Sequence, residues 1–339
     1  MNILNRIKNN KVVYFLYFLK NTKWDKLRND MDYVCQKFQY NKTFLIRDMV
    51  FSSLSLGTSF HEYYYYAFYN KNKFERKTFG SMSYMYEFQL FHNPKRQRYL
   101  LEDKLIFLKE YEEYIRRQWL NILEASESEI GEFLKNKTKV VLKNATGGAG
   151  KNVSIIELGH YTASSLKDYA RKNYFNLLEE FVFQHQDLQQ LSPNSLNTIR
   201  LITQINGKGQ VDVIGTILRM GINLKTDNLS TGGIACPIDL ETGKITGPGI
   251  SFDITKPDYY AHPISGIDFI DFEIPYWKDI VSMCEKAALF HPENKSIGWD
   301  VAIKDDGPFL LEGNHDWGAR LWQMPVKKGL KHIALKYFK

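Results

Sequence analysis

The protein is a chain of 339 residues, and at roughly 150 residues per domain this length predicts two or three structural units. Hydrophobic residues make up 44% of the chain and charged residues 24%, a balance that excludes disordered, collagen-like and disulfide-scaffold classes. The formal net charge of +7 at pH 7 favours anionic partners without naming one.

The sequence predicts neither a membrane span nor disulfides. The longest strongly apolar run, Val12 to Leu19, is far shorter than the roughly 20 residues that a helix needs to cross a bilayer. No small-residue cleavage site follows it, so we do not expect a secretory signal. The scattered cysteines Cys35, Cys236 and Cys284 fit neither a disulfide framework nor a thiolate metal site. We therefore expect a cytoplasmic protein whose cysteines serve packing.

Much of the positive charge lies in the first 30 residues. Seven lysines and arginines there face only Asp25 and Asp30, which leaves a local net charge of +5. One interpretation is a basic segment whose aromatic residues, between Tyr14 and Phe18, contact the anionic inner face of a membrane. The other, which is the commoner case, is a first helix packed on the domain with its charged face in solvent.

The predicted elements indicate an α+β protein. Residues 1–100, rich in Tyr and Phe, predict a helical and mixed region. Further helices are predicted over 103–134, 164–173 and 275–290. Strands are predicted over 139–143, 153–158, 176–183, 198–205 and 211–220, with a hairpin over 298–314. The middle third therefore forms a small α+β unit, and strands dominate after it.

A glycine-rich segment lies between the first two predicted strands. Gly147, Gly148 and Gly150 provide a backbone without side chains that can fold its N–H groups around phosphate oxygens. Lys143 before the turn and Lys151 after it favour this interpretation. The segment fails the Walker pattern because position 145 is Ala and position 152 is Asn, and it fails the dinucleotide fingerprint because a strand rather than a helix follows it. A plain flexible hairpin is the alternative.

The strongest local signal is the predicted hairpin at 298–314. If its loop centres on Asp306, Asp300 lies opposite Glu312, and the two-residue period puts Asn314 on the same face as Glu312. Two facing carboxylates repel each other without a cation, and Mg²⁺ prefers such oxygen ligands together with nucleotide phosphates. The alternative is a surface hairpin with solvated acids, which conflicts with the apolar residues around them.

Two more groups lie between these segments. An extended strand leaving a small domain offers its backbone to an adenine edge, and a later acid can hold ribose hydroxyls. Arg200 and Arg219 suit the developing charge of a phosphate or carboxylate, because guanidinium binds bidentately. Structural ion pairing is the alternative role for both arginines. The nucleotide candidates are Glu180, Phe181, Val182 and Asp187.

The order of these residues along the chain resembles the ATP-grasp superfamily. The matching set is Lys104, Lys143, the loop 147–150, Glu179 and Glu180, Asp300, and Glu312 with Asn314. More specifically, SLNTIR at 195–200, NLSTGGI at 228–234, HPISG at 262–266, GWDVAI at 298–303 and LEGN at 311–314 are similar to the sugar-transfer-associated ATP-grasp family, found with polysaccharide biosynthesis genes.

The resemblance implies a fold in which two α+β subdomains clasp a nucleotide, preceded here by the N-terminal helical and mixed region. The implied divisions are 1–100, 101–183 with a glycine-rich lid, and 184–339 with the metal and acceptor site. The implied cofactors are ATP and Mg²⁺. The implied ligands of the nucleotide are Lys104, Lys143, Gly147, Gly148, Gly150, Lys151, Glu179, Glu180, Phe181, Val182 and Asp187. Asp300, Glu312 and Asn314 would bind Mg²⁺, and Asn228 would shape the acceptor side.

The leading hypothesis from this resemblance is an ATP-dependent carboxylate–amine ligase. Such an enzyme phosphorylates a carboxylate, and an amine then attacks the acyl phosphate. The sugar context comes from the resemblance alone and indicates a hexuronic acid of a surface-polysaccharide precursor joined to an amino acid or amine. The rival within enzymes is phosphotransfer to a sugar hydroxyl.

A basic nucleotide- or nucleic-acid-binding module without catalysis is the remaining hypothesis. The sequence lacks zinc-finger spacing and RNP-type aromatic motifs, and the hairpin acids would repel a polyanion. We therefore expect no nucleic-acid partner.

Overall fold

The computed structural model describes residues 10–147, 153–223, 227, 229 and 232–338. The helices are α1 (Lys11–Asn21), α2 (Trp24–Phe38), α3 (Lys42–Leu56), α4 (Phe60–Tyr65), α5 (Lys73–Lys77), α6 (Met82–His92), α7 (Tyr99–Glu102), α8 (Lys104–Glu110), α9 (Glu127–Leu134), α10 (Ala163–Lys172), α11 (Gln186–Leu191), α12 (Trp277–Phe290), α13 (Ala319–Gln323) and α14 (Lys331–Leu335). Across the described ranges, every helix is too short or too polar to span a bilayer.

The strands are β1 (Trp119–Asn121), β2 (Lys139–Lys143), β3 (Val153–Glu157), β4 (Leu177–Glu180), β5 (Thr198–Ile205), β6 (Val211–Met220), β7 (Ile234–Pro237), β8 (Ile250–Ser251), β9 (Ser296–Lys304) and β10 (Gly307–Asn314). They form two antiparallel sheets. The four-stranded sheet has the order β1-β4-β2-β3, and the six-stranded sheet has the order β10-β9-β5-β6-β7-β8.

The N-terminal region is helical, as predicted, and packs around aromatic side chains. Helix α4 begins at a capping box, in which Ser59 accepts from the Glu62 N–H and the Glu62 carboxylate accepts from the Ser59 N–H at 2.9 Å. Tyr63 and Tyr64 of this helix are buried together with Phe68. Because aromatic side chains bury large areas, these short helices hold together by packing rather than by length.

The four-stranded sheet has one covered face and one open face. Val140 and Leu142 of β2 point to the covered face, where they pack with α9 and α10 residues such as Ile130 and Leu166. Alternation along the strand sends Lys139, Val141 and Lys143 to the opposite face. That open face is available to line a cleft.

The six-stranded sheet is covered on both faces, and every residue of β5 is buried. Ile199 and Leu201 of β5 pack in a cluster with α12, whereas Ile202 packs in a cluster with Trp317 and Trp322 near α13. The strand predictions for 198–205 and 211–220 are confirmed residue for residue.

The predicted continuous helix over 103–134 is wrong. Helix α8 ends at Glu110, the segment Trp119–Asn121 pairs with β4, and a second helix begins after Ser126. Between the two helices lies Arg117, whose buried guanidinium donates to Glu179 and to the Leu310 carbonyl. Those partners are distant in sequence, so local periodicity could not reveal them.

The C-terminal hairpin forms as predicted, but its register near the loop differs from the prediction. Lys304 pairs with Gly307, so the loop is the two residues Asp305 and Asp306 rather than a turn centred on Asp306. A bulge between Leu310 and Glu312 then shifts the register by one residue. The bulge restores the predicted Asp300–Glu312 pair.

Candidate functional site

A cleft of about 840 Å³ lies between the open face of the four-stranded sheet and the hairpin end of the six-stranded sheet. Residues from both sheets and from the loops that follow β4 and β10 line it. The predicted site residues among them are Lys104, Lys143, Gly147, Glu179, Glu180, Phe181, Val182, Arg200, Arg219, Asp300, Glu312 and Asn314. The cleft therefore gathers side chains that lie more than 200 positions apart in the sequence.

Asp300 is a buried acid of the cleft and is held by two arginines. Arg200 donates from Nε at 2.5 Å and from Nη2 at 3.1 Å to the two carboxylate oxygens. Arg219 Nη1 lies 3.2 Å from Oδ2. Burial by itself would raise the pKa of Asp300, but both arginines outweigh it and lower the pKa below its ordinary value. Asp300 is therefore charged across the physiological range.

The two arginines are themselves oriented by further contacts. Arg200 Nη1 donates to the Trp317 carbonyl at 2.8 Å, and Arg219 Nη2 lies 3.0 Å from Asp227 Oδ2. Thr198 donates its hydroxyl to the same Asp227 carboxylate. Burial disfavours the charge of Arg219, but Asp227 and then Asp300 raise its pKa above the ordinary value.

Glu312 is the more accessible acid of the pair. Its side chain is 33% exposed, and its Oε2 lies 3.6 Å from Lys104 Nζ. Lys104 also donates to the Gly147 carbonyl at 2.6 Å. The amide nitrogen of Asn314 lies 3.4 Å from Glu312 Oε1. One side of the cleft thus presents the side-chain oxygens of Asp300, Glu312 and Asn314, and Lys104 faces them.

Glu179 lies on the opposite sheet between two cations. Arg117 Nη2 is 2.6 Å from Oε1, and Lys143 Nζ contacts Oε2. Burial would raise the pKa of Glu179, but Arg117 and then Lys143 outweigh it and lower the pKa to about 2. Because both oxygens are occupied, Glu179 acts on the cleft by orienting Lys143.

The predicted adenine-binding segment leaves β4 along the cleft wall. Glu180 accepts from the Gln118 N–H at 3.0 Å through its side chain. Among the residues that the structure describes, none donates to or accepts from the backbone of Phe181, Val182 or Phe183. These backbone groups are therefore available to a ligand in the cleft.

Some predicted residues are not brought to the cleft or are not described. Asp187 lies at the start of α11, is half exposed and sits 3.6 Å from His185 instead of lining the cleft. Outside the described residues lie Gly148, Gly150, Lys151 and Asn228.

Sequence reasoning missed several lining residues. Arg117 stands beside Arg116 in the sequence, and nothing local distinguishes the buried arginine from its exposed neighbour. Asp227 was detectable only as a required partner for the buried Arg219. The other missed lining residues include Thr198, Phe252, Trp317 and Arg320.

Comparison with known proteins agrees with this arrangement. Residues 83–339 match the family model described as sugar-transfer associated ATP-grasp. No curated protein matches the chain.

Several solved structures are similar at low identity. One is the ATP-grasp ligase PsnB with a phosphomimetic variant of its minimal precursor, Mg and ADP, at 13% identity and a TM-score of 0.44, covering 76% of this chain and 66% of that one. Another is the D-cycloserine synthetase DcsG, at 12% identity and a TM-score of 0.44, covering 73% and 74%. N5-carboxyaminoimidazole ribonucleotide synthetase from Thermotoga maritima matches at 15% identity and a TM-score of 0.36, covering 64% and 42%.

The chain spans 57% of the length of the PsnB chain in its complex with minimal precursor alone. The family match, by contrast, extends over most of the present chain and includes both sheets. It confirms the expected ATP-grasp fold, and the chain belongs to the sugar-transfer associated ATP-grasp family.

Proposed function

We propose that this protein is an ATP- and Mg²⁺-dependent carboxylate–amine ligase that acts on an acidic sugar. The observation that carries the proposal is the cleft between the two sheets. Lys104 and Lys143 lie on one side, and Asp300, Glu312 and two arginines lie on the other. Cations facing a carboxylate pair suit a triphosphate bound with a divalent ion.

The division of the chain follows from this proposal. Residues 101–183 would form the small subdomain and 184–339 the large subdomain, with 1–100 as a preceding region. The two separate sheets support the division, since one contains strands from 119–180 and the other strands from 198–314. The glycine-rich segment 147–151 would cover the phosphates.

The nucleotide base would bind at the wall formed by Phe181 to Phe183. Within the described residues the backbone N–H and carbonyl groups of this wall have no partner, which suits an adenine edge because both donors and acceptors are required there. Val141 and Ile155 also line the cleft and would give the base an apolar surface.

The metal-binding residues would be Asp300, Glu312 and Asn314. Glu312 and Asn314 offer hard oxygen ligands of the kind that Mg²⁺ prefers, and Asp300, whose oxygens accept from Arg200 and Arg219, would share one of them with the ion. In the described part of the chain no donor reaches Asn314 Oδ1, so this oxygen is available as a ligand. Bound Mg²⁺ would supply charge neutralisation of the phosphates.

The residues around the metal ligands suit the chemistry of acyl transfer. The γ-phosphate would pass to the acceptor carboxylate, releasing ADP, and an amine would then displace phosphate from the acyl carbon to give an amide. Arg200 and Arg219 are fixed by Asp300 and Asp227 and would stabilise the charge that develops on oxygen. Closure over the cleft would keep water from hydrolysing the intermediate.

The sugar acceptor is supported by the description of the family and by the net charge. The family is sugar-transfer associated, and a charge of +7 favours an acidic substrate. We propose a hexuronic acid of a surface-polysaccharide precursor, joined to an amino acid or another amine.

The test is to incubate the protein with ATP and Mg²⁺ against uronic acids crossed with amino acids, measuring ADP and products by mass spectrometry. We expect ADP release that requires both partners, with an amide as product. Formation of a phosphosugar without an amine would identify phosphotransfer instead. No ADP with any pair, or ADP independent of the acid, would contradict the proposal.

We also propose that α1 contacts an anionic membrane surface. Val12, Val13, Leu16 and Tyr17 are all more than half exposed, and Lys20 follows them in the last turn of the helix. An exposed apolar face beside positive charge suits anionic lipid. Sedimentation with vesicles containing phosphatidylserine should capture the wild type more than Leu16→Ser, and equal capture of both would contradict the contact.

A further inference from the structure

The cleft is lined by seven lysine and arginine side chains within the described residues. Six of them lie within 4.0 Å of a carboxylate, namely Lys104, Arg117, Lys139, Lys143, Arg200 and Arg219. Arg320 is the exception. Over the described ranges, no carboxylate lies within 4.0 Å of its guanidinium, and no oxygen accepts a hydrogen bond from it.

Two aromatic rings hold the guanidinium of Arg320 instead. Its central carbon lies 5.3 Å from the centre of the Phe252 ring and 5.5 Å from that of Tyr65. The two rings are stacked at 5.8 Å with an angle of 26° between their planes. Such contacts orient a guanidinium through its face and leave its N–H donors free at the edge.

The acid that interacts electrostatically with Arg320 is already engaged. Glu62 is buried, and its carboxylate accepts from the N–H of Ser59 and, at 3.0 Å, from the N–H of Met82. The Tyr66 hydroxyl donates to its other oxygen at 3.3 Å. Within the described residues, Glu62 therefore makes no use of the N–H donors of Arg320.

The backbone around Arg320 is firmly anchored. Trp317, three positions earlier, accepts from Arg200 through its carbonyl at 2.8 Å. Trp322 donates to the Ile214 carbonyl at 2.7 Å, and Gln323 donates to the Gly80 carbonyl at 2.9 Å. Helix α13 is thus tied to the six-stranded sheet and to the N-terminal helices. A fixed cation of this kind loses little conformational entropy when it binds a ligand.

Building on the function proposed above, we propose that Arg320 binds a non-reacting anionic group of the acceptor, either a carboxylate or a phosphate. The reacting carboxylate would bind near Arg200 and Arg219, which form ion pairs with Asp300 and Asp227. The sugar ring would pack against Phe252, which lines the cleft beside Arg320. Because Tyr65 packs against the guanidinium of Arg320, the N-terminal region would also contribute to acceptor recognition.

Calorimetric titration of the full chain, saturated with ADP and Mg²⁺, tests this subsite. The probes are D-glucarate, which carries a second carboxylate besides the reacting one, and α-D-glucose 1-phosphate, which carries only a phosphate. D-glucuronate, whose single carboxylate is the reacting group, is the control and should bind the wild type and Arg320→Gln equally. We expect Arg320→Gln to weaken binding of at least one probe by about tenfold or more, since charge-assisted hydrogen bonds are lost. The probe affected identifies the anion.

Two variants keep the result interpretable. Arg320→Lys keeps the charge and should bind the probe with intermediate affinity, because lysine lacks the bidentate geometry. Arg171→Gln removes an exposed arginine from α10 and should change nothing. Equal binding by wild type and Arg320→Gln, or no binding of either probe by the wild type, would overturn the proposal.

The outcome is separable from that of the ligase proposal. Affinity for ADP with Mg²⁺ should be the same in the wild type and both Arg320 variants. If Arg320→Gln loses probe binding but the wild type shows no amine-dependent ADP release, the anion subsite stands and the ligase proposal fails. If the wild type shows amine-dependent ADP release but Arg320→Gln binds the probes as the wild type does, the ligase proposal stands and the anion subsite fails.

Discussion

Asp300 and Glu312 face each other across the β9–β10 hairpin, but their surroundings differ sharply. The Asp300 side chain is 4% exposed and contacts Arg200 and Arg219. The Glu312 side chain is 33% exposed, and among the described residues Lys104 is its one cationic partner within 4 Å. Replacing Asp300 should therefore destabilise the protein more than replacing Glu312, although both carboxylates would bind the same ion.

Glu312→Gln should abolish Mg²⁺-dependent ADP formation while leaving the fold intact. The residue is partly exposed and its loss strands no buried charge, so the free energy of unfolding should change by less than about 1 kcal/mol. Coupled measurement of ADP release and urea denaturation checks both parts. Glu132→Gln, at an exposed ion pair on α9, is the control. Unchanged turnover in Glu312→Gln would reject the metal assignment.

Asp300→Asn should also stop ADP formation, but at a cost in stability. Without the Asp300 charge, the buried guanidinium groups of Arg200 and Arg219 lose an ion-pair partner. We expect the free energy of unfolding to fall by an amount on the order of 3 kcal/mol. Asp306→Asn breaks an exposed pair with Arg116 in the same hairpin and should cost less than about 1 kcal/mol. Equal destabilisation by the two variants in urea would contradict the importance of the buried pairs.

Lys143→Ala should weaken ATP binding. A charge-assisted contact with phosphate is worth about 1.5–3 kcal/mol, which corresponds to roughly ten- to 150-fold in affinity. Isothermal calorimetry with a non-hydrolysable ATP analogue measures the change directly. Lys135→Ala, which removes an exposed lysine outside the cleft, should bind as the wild type does. If both variants bind equally well, Lys143 does not contact the phosphates.

Glu179→Gln should alter the acid dependence of stability. The pKa of Glu179 is lowered from 4.5 to about 2 in the folded protein, so the unfolded chain takes up the proton first as pH falls. The charged carboxylate therefore contributes stability that is fully present above pH 4.5 and is lost as pH falls towards 2, by about 3 kcal/mol in total.

Urea denaturation of wild type and Glu179→Gln at several pH values between 2 and 5 measures this contribution. The variant should be less stable at neutral pH, because Arg117 and Lys143 lose their shared partner, and its curve should be flatter. Parallel pH curves for the two proteins would show that Glu179 is not the group responsible.

Gly298→Ala should damage both stability and activity. A Cβ at this position would lie 2.3 Å from Trp317 Cβ and 3.0 Å from Arg200 Cδ, so both side chains would have to move. We expect a loss of about 1–3 kcal/mol from overpacking and reduced ADP formation. Gly131→Ala on α9 meets no atom within 4 Å and should not destabilise the protein. Thermal unfolding of the two variants decides between strain at Gly298 and a general effect of the methyl group.

The sequence by itself determined the elements whose pattern is local. Alternation and β-branched residues located β5 and β6 at their observed bounds and identified β9 and β10 as a hairpin. These predictions succeed because strand period and tight turns depend on neighbouring residues.

Only the tertiary structure decided the contacts between distant segments. Arg117 reaches Glu179 and the Leu310 carbonyl, and Tyr65 supports Arg320 from 255 positions away. The bulge at Leu311 brings Glu312 opposite Asp300, a pairing that the two-residue loop without a bulge would not produce. Burial and ion pairing depend on which surfaces meet in three dimensions, and that information is distributed over the whole chain rather than held in any one motif.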